Sequence, residues 1–269
     1  MTAPPHYEVY AIQYARSLRA SSDYFLFPDP HDGPLPILYY VWLIRGGGRT
    51  ILVDTGFSAE RAVTRKRDFL RCPSEGLKVL GVTPEAIDSV VLTHLHYDHA
   101  GNIPLFPHSE IVVQDEEVRF ATGRYMRYPP VRAPFEADDV VALVRSNFNG
   151  RVRFVAGDET LAPGIGLHLI GGHTYGLQSV TVTTRRGLVV LASDAAHFYE
   201  NISLENPFPI VADVPRMMAG HERLLRLAPT PAHLVPGHDP LVAELYPQVA
   251  GDPLIFDLTA ELSGPVPIG

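Results

Sequence analysis

His94, His96, Asp98 and His99 crowd into one short stretch, Thr93-His94-Leu95-His96-Tyr97-Asp98-His99. Three imidazoles and a carboxylate offer nitrogen and oxygen donors suited to zinc, iron, cobalt or manganese, and the share of nitrogen argues against calcium. A polar loop carrying surface histidines is the alternative, but it gives such dense spacing little structural use. Metal-binding donors must also be aimed. Val90-Val91-Leu92 is a short apolar run that reads as a buried strand. Side chains alternate along a strand, so His94 and His96 project to one side together. A continued strand would send the adjacent Asp98 and His99 apart. A turn after His96 is therefore required, and it aims both at a second point close to the first.

The rest of the chain must supply the frame. Residues 7–17 alternate in the manner of a strand. Ile37–Ile44 and Thr50–Val53 form two more, joined at Arg45-Gly46-Gly47-Gly48-Arg49, a hairpin signal. Asp54, at a strand end, suits a carboxylate standing behind the ligands, where it would fix an imidazole's tautomer. Ser21–Pro36 holds four prolines with Tyr24, Phe25 and Phe27, and reads as an irregular loop. Ala59–Leu70 and Pro73–Leu80 read as helices, and Arg61, Arg65, Lys66, Arg67 and Arg71 spread over solvated faces. Asp115–Thr122 is a helix closed by Gly123. An irregular aromatic stretch with Tyr125, Met126, Tyr128 and Phe135 follows. Asp138 then opens a helix whose stripe is Val141, Val144 and Phe148. This insertion, about residues 115–150, is the expected lid. Tyr24, Phe25, Phe27, Tyr125, Met126, Tyr128 and Phe135 are expected to line an apolar substrate pocket. Val152–Val155, Leu167–Ile170, Val180–Thr184, Leu188–Leu191 and Leu234-Val235 are strands, and Asp213–Leu227 a helix. No linker or composition shift divides the chain, so residues 1–269 read as one domain.

Composition narrows the partners. A net charge of −8 argues against nucleic acid. The longest apolar runs are too short to span a bilayer, and Met1–Glu8 has no basic segment followed by an apolar one. A single Cys72 excludes an internal disulfide and fits a reducing compartment. The expectation is a cytoplasmic monomer or homodimer acting on a small molecule.

The motif resembles the H-x-H-x-D-H signature of the metallo-β-lactamase superfamily, and four further blocks resemble it in the same order. They are Ile51-Leu-Val-Asp54-Thr55-Gly56, Gly171-Gly-His173-Thr174, Leu191-Ala-Ser-Asp194-Ala and Pro236-Gly237-His238-Asp239. The resemblance implies an α/β (α+β) fold, an αββα sandwich of two mixed β-sheets flanked by helices. It implies two divalent ions, zinc foremost with iron, cobalt or manganese as alternatives. His94, His96 and His173 would hold one ion, Asp98, His99 and His238 the other, and Asp194 would bridge. The chemistry implied is attack of a metal-bound hydroxide on a carbonyl, with Asp98 as proton shuttle. Histidine at position 96, where redox relatives carry glutamate, favours hydrolysis. The chain is most similar to the N-acyl-homoserine lactonase branch, so the implied substrate is a lactone. A thioester, amide or cyclic amide is the alternative, and a catalytically silent metal- or signal-binding protein the third reading. That branch places a tyrosine three residues after the bridging aspartate, where this chain has His197. His197 is therefore the expected donor to the substrate's developing oxyanion, with Tyr199 competing for the role.

Overall fold

The computed structural model describes residues 4–29, 31, 33–249 and 251–268. Met1–Ala3, Pro30 and Asp32 lie outside these residues, and with them part of the N-terminal and aromatic-loop expectations. The first sheet runs through β1 (Glu8–Ala20), β2 (Pro34–Gly46), β3 (Arg49–Val53), β4 (Asp68–Phe69), β5 (Ser89–Val91), β6 (Glu110–Gln114) and β7 (Val152–Val155). The second contains β8 (Glu159–Ala162), β9 (Ile165–Leu169), β10 (Gln178–Thr184), β11 (Gly187–Ser193) and β12 (Leu234–Pro236). β13 (Gln248–Val249) and β14 (Asp252–Asp257) return to the first sheet, whose order is β13-β14-β1-β2-β3-β5-β6-β7 with β4 beside β1. The second sheet is ordered β12-β11-β10-β9-β8. Both sheets are mixed. β3, β5, β6 and β7 run parallel and the β1–β2 hairpin antiparallel, while β12 is the parallel member of the second sheet.

The period-two alternation of β1 and β2 builds two cores at once. Val9, Ala11, Tyr40, Trp42 and Ile44 face the second sheet and meet Leu167, Val180, Val182 and Leu191. Tyr10, Ile12, Tyr14, Val41 and Leu43 face the other way, against helices that supply Ala62, Leu77 and Leu143. The helix Val214–Leu227 covers the outer face of the second sheet, where Leu224 packs on Val190 and Ala192. A fully buried Val, Leu or Ile contributes roughly 1.5–3 kcal/mol, so this four-layer packing holds the strand ends rigidly where the motif emerges.

Several elements depart from the sequence reading. Pro34–Pro36 belongs to β2 and pairs with β1 rather than lying in a loop. Ahead of Trp42, β2 has no strand on its other side, and such edge positions tolerate proline. The 124–134 stretch contains a 3-10 turn, Arg124–Arg127, and a short helix, Pro129–Arg132. On the helix Ala137–Phe148 the stripe of Val141, Val144 and Phe148 faces solvent, and Leu143 and Ser146 are the buried members. β4 lies within the expected helix Ala59–Leu70, which ends at Arg65, and β8, β13 and β14 have no counterpart among the expected strands.

Candidate metal centre

β5 delivers the motif from the parallel part of the first sheet. Beyond it Leu92 N–H still donates to Val112, and the chain then turns into the helix Tyr97–Ala100, with His96 at its N-cap. The required turn is thus present, and it is anchored at every step. Tyr14 donates through its hydroxyl to the Asp98 carbonyl at 2.7 Å, and Thr55 Oγ1 to the His99 carbonyl at 2.9 Å. Asp54 is buried, adopts φ 62°, and accepts from Thr93 N–H at 2.8 Å and from His99 Nδ1 at 2.7 Å. That last bond leaves His99 Nε2 facing the centre. His238 is fixed the same way, its Nδ1 donating to the Leu38 carbonyl at 2.8 Å.

Two glycines let the later ligand loops pack closely, that of His173 on the helix Val214–Leu227 and that of His238 on the strand end carrying Asp194. A Cβ on Gly172 (φ 95°) would stand 2.5 Å from the Met217 Cα, and one on Gly237 2.8 Å from the Ser193 carbonyl. Glu117 is the pin between loops. Its buried carboxylate accepts from Leu95 N–H at 2.9 Å, Thr174 Oγ1 at 2.6 Å and Gly176 N–H at 3.1 Å. It therefore clamps the chain between His94 and His96 to the chain just after His173.

Around Asp194 the donors sort into two sets. Oδ2 lies 3.1 Å from His173 Nε2, 3.7 Å from His94 Nε2 and 3.0 Å from His197 Nε2. Oδ1 lies 3.2 Å from His99 Nε2 and 3.1 Å from His238 Nε2. Asp98 Oδ2 stands near the second set, 3.8 Å from His99 Nε2 and 4.0 Å from His238 Nε2. His94, His96, His173 and Asp194 can converge on one point, and Asp98, His99 and His238 on another. All of these residues are buried except Asp98, whose side chain is 13% exposed. The fit to a metal pair shows in the unused atoms: His94 Nε2 and His99 Nε2 are buried with no hydrogen-bond partner. Nitrogens so placed suit ligation better than solvation.

Electrostatics agree for two of the histidines. Burial, followed by the neighbouring imidazoles, holds His94 and His96 well below the usual histidine range, so both are neutral, as ligation needs. Burial alone would raise Asp194, but His197, His99, His238 and His94 outweigh it and keep the carboxylate ionised. Burial likewise opposes protonation of His99, but the Asp194, Asp54 and Asp98 carboxylates prevail and raise its pKa.

The remaining expected residues divide. Tyr24 lines the cavity beside the donors, and His197 lies in its wall, stacked on Phe208 at 3.7 Å between ring centroids. His197 Nε2 is engaged with Asp194, its Nδ1 is buried without a partner, and burial above all lowers its pKa to about 3. Tyr199 is a correction. Its hydroxyl donates to the Leu234 carbonyl at 3.0 Å inside the core between the sheets, away from the cavity. The apolar pocket is another. Phe25 packs on Phe198, Phe27 is 76% exposed, Tyr125 and Tyr128 are exposed, and Met126 packs against the outer core. Phe135 sits behind the donors, edge-on to His96 at 4.5 Å. Phe25, Met126 and Phe135 are drawn into the core, where apolar area gains more than beside a polar site, while Phe27, Tyr125 and Tyr128 stay at the surface. The cavity wall is instead Arg19, Asp23, Ile37, Tyr39, Arg67 and Ile210. From residues 115–150, Pro130, Val131 and Pro134 border a hollow of about 210 Å³ that shares His96 and His173.

Sequence reading missed Glu117 and Arg67. Glu117 follows Asp115 and Glu116, and acids at a helix start read as ordinary charge complementing the helix dipole. Arg67 was placed on a solvated helix, but that helix ends at Arg65. Arg61 and Arg65 instead pair with Glu136, and Arg71 with Asp252.

The family model described as the metallo-beta-lactamase superfamily matches residues 36–238. An N-acyl homoserine lactonase of Bacillus cereus is 30% identical over 190 residues, covering 65% of this chain and 69% of that protein. The N-acyl homoserine lactonase AiiB of Agrobacterium fabrum is 32% identical over 186 residues, 62% of this chain and 65% of that one. A crystal structure of a quorum-quenching N-acyl homoserine lactone lactonase superposes with a TM-score of 0.72 at 24% identity, covering 90% of this chain and 94% of the other.

Proposed function

This chain belongs to the metallo-beta-lactamase superfamily, and we propose that it is a dinuclear metal-dependent hydrolase that opens a lactone ring. N-acyl-homoserine lactone, a signalling molecule whose hydrolysis would quench that signal, is the reference substrate. The observation that carries the reading is Asp194, whose two oxygens face different histidine sets at 3.1 and 3.2 Å. Relatives named as lactonases support the substrate class.

His94, His96 and His173 would hold one ion, Asp98, His99 and His238 the second, with Asp194 between them. Zinc is the metal proposed, since imidazole with carboxylate is a donor set it accepts readily. Bound there, the ions supply Lewis acidity at the carbonyl oxygen and a water acidified from ~15.7 to roughly 7. The protein's own part is positional. Asp54 and the Leu38 carbonyl hold His99 and His238 in one tautomer. Water's oxygen adds to the acyl carbon, the acyl–oxygen ring bond breaks, and the departing alkoxide takes up a proton. Asp98, the donor most open to the cavity, would pass that proton. His197 supports Asp194 through Nε2, which favours a structural over an oxyanion role for that nitrogen.

Among the described residues no helix is long and apolar enough to cross a membrane. A cytoplasmic setting is proposed on the single Cys72. Turnover of lactones, thioesters and amides by zinc-loaded protein tests the function. Ring opening of lactones with solvent oxygen in the new carboxylate is expected. Thioester turnover with no lactone opened would replace the proposal.

A further inference from the structure

The cavity beside the donors, about 300 Å³, carries two guanidinium groups that ring opening does not use. Lys66 ends the helix Ala59–Arg65 in the left-handed conformation (φ 55°), and the chain then enters β4, which pairs with β1. That turn brings Arg67 to the cavity wall instead of the protein surface. Its Nε donates to the Tyr97 hydroxyl at 3.1 Å and its Nη1 to the Arg65 carbonyl at 2.8 Å. Its Cζ stands 5.9 Å from the centre of the Tyr39 ring. Arg61, Arg65 and Arg71 each have a carboxylate partner; Arg67 and Arg19, at the end of β1, form no ion pair among the described residues. Asp98 is committed to the donor cluster, so Asp23 at the wall is the one uncommitted carboxylate lining the cavity with these two arginines.

An independent observation lies in the same wall. Tyr24 is 1% exposed, lines the cavity, and its hydroxyl has no hydrogen-bond partner among the described residues. Burial, then Tyr39 and Asp23, raise the pKa of that hydroxyl while Arg19 and Arg67 oppose the rise, so both cations act on it. A half-buried guanidinium with no ion pair among the described residues, beside a buried phenol without an acceptor, gains when a group brings oxygen and negative charge together. A carboxylate does both, since its two oxygens match the edge of a guanidinium and still accept from a hydroxyl.

We propose that Arg67 and Tyr24, with Arg19 beside them, bind a carboxylate on the non-reacting part of the substrate, so that the preferred substrate is a lactone bearing a free acid. This inference rests on the lactone-opening reading, and it separates this chain's substrate from lactones carrying only a neutral acyl chain. The site would act as a specificity element, chiefly through KM.

The test compares a γ-lactone bearing a ring carboxylate with the same lactone as its primary amide, using zinc-loaded protein. Wild type is expected to favour the acid at least tenfold in kcat/KM. Arg67→Met should lower kcat/KM for the acid at least tenfold further than for the amide, with Arg67→Lys recovering part of the loss. Tyr24→Phe should move the same ratio in the same direction. Metal content and calorimetric binding of the ring-opened product check that the variants keep the site. Equal turnover of acid and amide by wild type overturns the proposal, as does an equal loss on both substrates in Arg67→Met with zinc retained. If neither lactone opens while a thioester is hydrolysed, the lactone reading has failed rather than the carboxylate site.

Discussion

Thr174 donates to Glu117 across 2.6 Å, and through that bond the loop of His173 is fastened to the helix beneath the first ligand block. The same carboxylate holds Leu95 N–H, so one residue sets the spacing between two ligand segments far apart in the chain. Glu117→Gln keeps the shape but replaces one acceptor oxygen with a donor. It should weaken binding of the ion held by His94, His96 and His173 about 10–100-fold. Zinc titration against a competing chelator reads this directly; unchanged affinity would show that the clamp is dispensable.

Metal content itself is the next expectation. Purified, zinc-loaded protein should carry close to two ions per chain, and chelation should abolish hydrolysis until metal is restored. Asp194→Ala should weaken both positions, since its oxygens face both histidine sets, whereas His94→Ala should empty chiefly one. Elemental analysis with one ion in wild type would dissolve the paired site.

His197 and Tyr199 separate cleanly. His197→Ala removes a contact on Asp194 and should lower metal affinity along with activity. If kcat falls about 10²–10³-fold with both ions retained, His197 is instead the oxyanion donor. Tyr199→Phe strands the Leu234 carbonyl in the core and should cost about 1–3 kcal/mol of stability with kcat at the wild-type level.

Asp139 predicts a pH dependence of stability. Burial raises its pKa to about 6, with Arg61 opposing, and its Oδ2 has no partner. The folded state therefore binds this proton more tightly than the unfolded chain, whose value is roughly 3.9. The penalty is absent at low pH, grows as pH rises between those values, and is complete above the folded value. Asp139→Asn should stabilise the protein by about 1 kcal/mol at pH 7.5, a figure discounted for partial exposure. The gain should shrink toward pH 4 in urea melts. A constant gain at both pH values would assign the effect to something other than ionisation.

The motif was legible because its chemistry is local. His94 to His99 carry their own spacing, and the strand before them is a plain apolar run. Five blocks in family order carried the αββα fold as well. What stayed hidden depends on contacts between distant segments. Nothing around Glu117 says that it is buried, and nothing around Lys66 says that the helix stops there and turns Arg67 inward. The aromatic residues misled for the same reason. Tyr24 and Tyr199 look alike in sequence, but one lines the cavity and the other is bonded to a strand carbonyl in the core. The stripe of Val141, Val144 and Phe148 has helical periodicity without a partner, so period alone pointed the wrong face inward.

β14 pairs with β1, aligning Ile255 with Ile12 and Asp257 with Tyr10. β1 is thus completed by a strand from the far end of the described residues. Until residues 252–257 are available, the Tyr10–Ile12 part of β1 has an unpaired edge beside a nearly finished apolar sheet, and such an edge invites pairing with another chain. The donor set has the same dependence, since His238 also comes late. Contacts of such long sequence separation make folding slow, and they make the C-terminal segment a checkpoint. A chain cut short before β14 would lose the partner that shields its N-terminal strand, and aggregation would compete with completion of the sheet.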